Sequence, residues 1–304
     1  MSGEPDPEPS DAPSMPDPPR SANGDPTPAG EAPPPAPAGR NLPLAIASGV
    51  VLAGLFLLTL WLNDYAFLVF VAVIVIIGLL EVAIALRERG LRPATPVAIG
   101  AGLVMFFGAY VAGPVGQVLG LVLLVFGALT WLLSDRGRSD VTASLGATFL
   151  MTLWVPFCGS FIGLLLDRPD GAWYVIAVVA MTVAADIGAY ALGSRFGRHK
   201  LAPSVSPGKT WEGLLGALVT VLVLAVFMAE PLVPGLNLVE ALILGAGILF
   251  AATLGDLSES LVKRDLGVKD LGRVLPGHGG IMDRMDALLF TLPTTHLILL
   301  ALGL

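Results

Sequence analysis

A run of ionised side chains between Asp256 and Asp286 is where this sequence concentrates its chemistry. Asp256, Glu259, Asp265, Asp270, Asp283 and Asp286 share it with Lys263, Arg264, Lys269, Arg273 and Arg284. That is 11 charges in 31 positions of a chain that is only 13% charged. Charge at the edge of a hydrocarbon layer is costly, and it is kept where it serves a function. If the helix bearing Asp256 continues to Arg264, then Asp256, Ser260 and Lys263 fall at i, i+4 and i+7, on one face. Asp283 and Asp286, at i and i+3, share a face at the start of the following helix. Between the two runs Leu-Pro-Gly-His-Gly-Gly, residues 275–280, whose glycines allow positive φ and let backbone amides approach an anion. Carboxylates for a hard cation, with amides and Lys/Arg for phosphate oxygens, are the toolkit of phosphoryl or nucleotidyl transfer. On spacing alone, the competing reading is a solvated loop whose opposite charges simply pair.

Further candidates lie upstream. Asp186, in AADIGAYALGSRFG, is an acid inside an apolar segment and so a functional candidate. Its structural alternative is a hydrogen bond between helices, to Tyr190 one turn on. Ser206, Lys209 and Thr210 precede a helix in SVSPGKTWEG; the spacing is not that of a Walker A loop, but donors at a helix start suit phosphate. His278 is the histidine expected in the site. His199 reads as a basic-loop residue, His296 as a buried hydrogen-bonding residue, and Glu81 as an interhelical one. Cys158 is alone, which excludes an intramolecular disulfide and a thiolate zinc cluster, and it reads as a small buried hydrophobe.

The elements that must position these groups are membrane helices. The chain is 55% hydrophobic with mean hydropathy +0.80, above soluble domains. Nine apolar segments of spanning length or close to it run at about 43–62, 65–86, 95–112, 115–133, 143–165, 173–194, 212–230, 238–257 and 286–304. An all-α polytopic membrane protein is expected. Alternating sides across nine spans puts 16 of the 17 Lys/Arg on one side and leaves only Arg168 opposite. By the positive-inside rule the amino terminus and the loops at about 195–211 and 258–285 face the cytoplasm. Residues 1–41 hold seven acids, two arginines and 13 of the 25 prolines, with no Val, Ile, Leu, Phe or Trp. A disordered acidic cytoplasmic tail is expected there, ahead of a membrane domain at 42–304 whose catalytic part is about 173–304.

The run Ser260–Asp286 resembles the signature of the phosphatidate cytidylyltransferase (CDP-diacylglycerol synthase) family. The matching positions are Ser260, Lys263–Arg264, Lys269–Asp270, Pro276, His278-Gly279-Gly280, Asp283–Arg284 and Asp286. The likeness extends through Asp186–Tyr190 and Ser206–Gly213, with Ile187 standing where members often carry threonine. The resemblance implies transfer of CMP from CTP to phosphatidic acid, giving CDP-diacylglycerol and pyrophosphate in phospholipid biosynthesis. It implies magnesium, alone or with a second cation, held by Asp256 and Asp283. Lys263, Arg264 and Asp286 are then expected to be catalytic. Asp186, Ser206, Lys209, Ser260, Lys269, His278, Gly279, Gly280 and Arg284 are expected to bind substrate. The bilayer is an expected partner and nucleic acid is not. A multi-pass place in the cell membrane follows, and a homodimer is expected from the family alone. Ala185, Ala189 and Gly193, small residues at i+4 spacing, suit close helix packing within one chain or between two. Two other functions remain open on the residues: a cation path through Asp186 and the acidic cluster, and a CTP-dependent transferase for another lipid, such as a prenol or an archaeal ether lipid.

Overall fold

The computed structural model describes residues 42–134, 140–230, 232–272 and 279–304, with side chains from residue 47 onward. Its elements in chain order are α1 (Leu42–Leu62), α2 (Asp64–Glu88), α3 (Thr95–Ala112), α4 (Pro114–Ser134), α5 (Val141–Thr152) and a π-helical turn (Leu153–Phe157). There follow α6 (Cys158–Leu166), α7 (Gly171–Phe196), β1 (Lys200–Ala202), β2 (Ser206–Thr210), α8 (Trp211–Met228), α9 (Leu238–Asp265) and α10 (Met282–Leu302). Among the described residues, eight helical segments are long and apolar enough to cross a membrane, counting Val141–Leu166 as one. The first of the nine expected segments is also helical, and its fully described part, Ala47–Leu62, is a shorter apolar helix.

Several expectations are refined. The helix bearing Asp256 does run on to Asp265, past the end of its apolar stretch. The last helix starts at Met282 rather than near 286, so Asp283 falls inside its first turn. The segment after α7 is not a plain loop: β1 and β2 form an antiparallel hairpin, Lys200 opposite Thr210 and Ala202 opposite Ser206. Thr210 then caps α8, its hydroxyl accepting from the Gly213 amide at 3.1 Å. Cys158 is half-buried rather than buried, at the end of the π turn. Pro156 explains that turn, since it has no N–H for the α ladder and its ring sits where a Cβ on Gly102 of α3 would be.

Close helix contacts depend on glycines at which any side chain would collide with backbone. A Cβ on Gly116 of α4 would overlap Gly108 of α3. A Cβ on Gly216 of α8 would strike the Gly188 carbonyl of α7, and Gly193 lies 3.3 Å from the Gly213 Cα on the same measure. The small residues of α7 are thus used within the chain, against α8. On α9, a Cβ on Gly255 would stand 2.5 Å from the Asp286 carbonyl oxygen, which brings the neighbouring Asp256 up to α10. Without a hydrophobic driving force between helices in lipid, such approaches supply dispersion contacts that longer side chains would forbid.

Replacing Gly116 with Val is expected to lower the melting temperature in detergent, at a cost of about 1–3 kcal/mol or more because backbone must move. Gly100→Ala in α3, where an added Cβ meets open space, is the matched control and leaves the melting temperature unchanged or higher.

Candidate active site

Two helix ends and one hairpin build the site. The α9 end supplies Asp256, Glu259 and Lys263, the α10 start supplies Asp283 and Asp286, and β2 supplies Lys209. The Lys263 ammonium bridges the helices, 2.6 Å from Glu259 Oε2 and 2.9 Å from Asp283 Oδ1. Side-chain exposure is 2% for Glu259 and 8% for Asp283, so these groups are paired largely out of water. Asp283 is further held by backbone. Its Oδ1 accepts from the Leu271 amide at 3.3 Å and its Oδ2 from the Gly280 amide at 2.9 Å. Gly279 has φ +85°, the positive value expected of it, and the Gly280 N–H serves an internal carboxylate.

Lys209 reaches Asp256 at 2.5 Å from the hairpin. These two and Asp186 line a cavity of about 470 Å³ between α7, α8 and α9, whose other walls include Ala189, Gly213 and Leu249. Asp186 lies within electrostatic range of Asp256, Lys209 and Arg284, and Asp286 within range of Asp256 and Asp186. The cavity therefore has an ionic end beside an apolar wall. Tyr190 lines the same cavity at 78% exposure and, among the described residues, makes no hydrogen bond to Asp186.

The other expected residues scatter. Arg264 is exposed and turned toward the hairpin, where its Nε donates to the Val205 carbonyl at 3.4 Å. Lys269 is exposed, and Ser206 and Ser260 are half-buried; Arg284 is exposed but stays within electrostatic range of Asp186. His278 and Arg273 lie outside the described residues. His199 pairs with Glu212 at 2.6 Å, away from the site. His296 is buried as expected, but it packs edge-on against Phe161 and its Nδ1 has no hydrogen-bond partner among the described residues.

Two acids gain partners that sequence reasoning did not name. Glu259 was visible as a charge, and its i, i+4 spacing to Lys263 is the signal that pairs them. Glu81 on α2 accepts from the Ile281 and Met282 amides at 3.1 and 2.8 Å, capping α10 from 200 positions away. No local signal marks such a contact.

The donor set can be judged for a hard divalent cation. Among the described residues, no three His, Cys, Asp or Glu side chains stand together as a ready ligand set. The carboxylates of Asp256 and Asp283 are each engaged by an ammonium group instead. By chemistry the oxygens fit magnesium. By formal charge, Asp186, Asp256, Glu259, Asp283 and Asp286 outnumber Lys209, Lys263 and Arg284, leaving the site short of positive charge.

Removing the bridging ammonium by Lys263→Met would leave Glu259 buried and unpaired. A loss of about 3–5 kcal/mol in stability is expected, read by thermal unfolding in detergent. Adding Glu259→Gln should restore part of it, and simple additivity of the two would show that the pair does not interact.

The chain is similar to known proteins over most of its length. Residues 44–302 match the cytidylyltransferase family. The chain is 37% identical to a phosphatidate cytidylyltransferase of Mycobacterium leprae over 268 residues, covering 83% of this chain and 85% of that one. A protein of the same name from Mycobacterium bovis is 36% identical over 83% of this chain and 86% of its own. One from Haemophilus influenzae is 42% identical over 48% of this chain and 54% of its own. With nearly the whole helical unit matched, and with the charged ends of α9 and α10 inside the match, this chain belongs to the cytidylyltransferase family.

Proposed function

We propose that this protein transfers CMP from CTP to phosphatidic acid, releasing pyrophosphate and forming CDP-diacylglycerol. The observation that carries the reading is the cavity with Asp186, Lys209 and Asp256 at one end and small apolar residues of α7, α8 and α9 along its wall. One substrate is a lipid and the other is a water-soluble triphosphate, and a cavity of mixed character at a helix boundary suits both.

The reaction asks little of acid–base chemistry. A phosphate monoester has a second pKa near 6, so the lipid nucleophile is largely dianionic at neutral pH. A lipid phosphate oxygen bonds to the CTP α-phosphorus as the bond to the β-phosphoryl oxygen breaks, and pyrophosphate leaves with the electron pair. The difficulty is repulsion between two anions. Lys209, Lys263 and Arg284 offer donors to phosphate oxygens, and their fixed placement costs no reorganisation as charge moves. Asp186, within electrostatic range of Lys209 and Arg284, steadies those cations, and Asp286 adds to the acids that would draw a cation to the site. Asp256 and Asp283 would hold magnesium, alone or with a second cation, and the ion when bound neutralises phosphate charge. A site with surplus carboxylate is a reasonable host for that ion.

Orientation follows from the basic residues. The segments at about 195–211 and 258–285 carry nine of the 15 lysines and arginines beyond residue 41, which supports a cytoplasmic active site in a multi-pass cell-membrane protein with its amino terminus inside. CTP then arrives from the cytosol and phosphatidic acid from within the leaflet.

Purified protein incubated with labelled CTP and a panel of lipid phosphates tests the reading. CDP-diacylglycerol is expected from phosphatidic acid with magnesium and not with EDTA. Preference for a prenyl or ether-lipid phosphate would reassign the substrate, and ion flux in proteoliposomes without nucleotide would favour a cation path. Asp256→Asn and Asp283→Asn are each expected to lower turnover by about 10²-fold or more. Near-normal turnover in both would sink their assignment as metal holders.

A further inference from the structure

We infer that α2, outside the cluster of ionic residues, fixes the geometry of the active site, and that Glu81 is its principal positioning residue. Four backbone amides around the start of α10 are shared between two carboxylates. Leu271 and Gly280 donate to Asp283, while Ile281 and Met282 donate to Glu81. Glu81 is 3% exposed, so its charge is kept out of water by the same contacts that order the helix start. The first amides of a helix have no intrahelical acceptor and carry its positive dipole end, which makes a buried carboxylate there a firm attachment.

Glycine marks how tightly this carboxylate is held. A Cβ on Gly272 would overlap the Glu81 carboxyl group, and one on Gly280 would lie 2.7 Å from Glu81 Oε2 and 2.8 Å from the Gly272 amide. The chain on both sides of residues 273–278 therefore closes over Glu81. Asp283 follows directly on Met282, so a shift of the helix start moves Asp283 relative to Lys263.

The same helix also holds the other half of the site. Arg89, just past the end of α2, donates from Nε to the Leu266 carbonyl at the end of α9, at 2.7 Å. Leu266 follows directly on the helix that carries Asp256 and Lys263. One end of α2 thus secures an orphan carbonyl of α9, and Glu81, two turns earlier, secures orphan amides of α10. Opposite ends of two helix dipoles are matched by opposite charges on one rod. This places part of the working site in the amino-terminal half, ahead of the 173–304 region expected to contain it.

The inference rests on the proposed function only for what the positioned groups do. Glu81→Gln, nearly identical in shape, replaces one acceptor oxygen with an amide that faces a donor. Hydrogen–deuterium exchange on the full-length protein in detergent should then show faster exchange at residues 279–283, with α7 and α8 still protected. In the same preparation kcat should fall by about 10²-fold, as for a misplacement near 1 Å, with KM for CTP and for phosphatidic acid changed by less than about threefold. Glu81→Asp, which keeps the charge, should recover part of the rate, and Arg89→Ala should speed exchange at 264–267. Unchanged exchange at 279–283 in Glu81→Gln would overturn the inference. So would loss of protection throughout the protein, since that describes a general stability role. Failure of the wild-type chain to make CDP-diacylglycerol would instead overturn the proposed function and leave the exchange result standing.

Discussion

A single ammonium group shared by two buried carboxylates governs the layout of this protein's ionic face. Lys263 lies between Glu259 on its own helix and Asp283 on the next. Three charges in contact at the end of a helical bundle are tolerable only if each keeps its partners, because desolvation costs several kcal/mol per ion. The helices must therefore hold a fixed axial offset. Gly255, the smallest residue, supplies it by letting α9 touch the α10 backbone at Asp286. The amides of Leu271 and Gly280 complete it by donating to Asp283 Oδ1 and Oδ2.

The same demand explains why the hairpin is tied down. Lys209 on β2 pairs with Asp256, and the Arg264 guanidinium holds the Val205 carbonyl between the strands. At the base of the hairpin, Glu212 accepts from the amides of Arg198 and His199. A two-stranded ribbon alone is marginal in water. Strapped at three points, it keeps Lys209 against Asp256 in the lining of the cavity.

How much of this was readable without coordinates depends on range. The helical segments are legible because each is a local apolar run, whereas α9's extension past that run enters only as a condition for putting Asp256, Ser260 and Lys263 on one face, a condition that its run to Asp265 meets. The pairing of Asp256 with Lys209 was not legible, because it joins a strand to a helix across 47 positions and no pattern encodes a register between them. The hairpin was missed because SVSPGKT reads as a turn: its proline and glycine disguise a short strand whose exposed edge tolerates both. Arg264 stands with Lys263 in the family signature, yet neighbours on a helix point about 100° apart, and of the two it is Lys263 that contacts Glu259 and Asp283. Glu81 carried a correct but incomplete reading, as an interhelical acid whose partner helix lay 200 positions away.

That last case bears on how a membrane enzyme of this kind is divided. A reading by motif assigns chemistry to the ionic clusters and leaves the earlier helices as anchor. Burial argues otherwise. An unpaired carboxylate at 3% exposure inside a bundle would be strongly unfavourable, so Glu81 persists only with the amides of Ile281 and Met282 in place. The dependence is mutual: those amides lose their acceptor if Glu81 goes. Because the signature residues sit at helix ends, where backbone groups lack intrahelical partners, any helix that satisfies those groups also sets where the signature residues stand. The chemistry and its scaffold are joined at that boundary, and α2 lies on both sides of it.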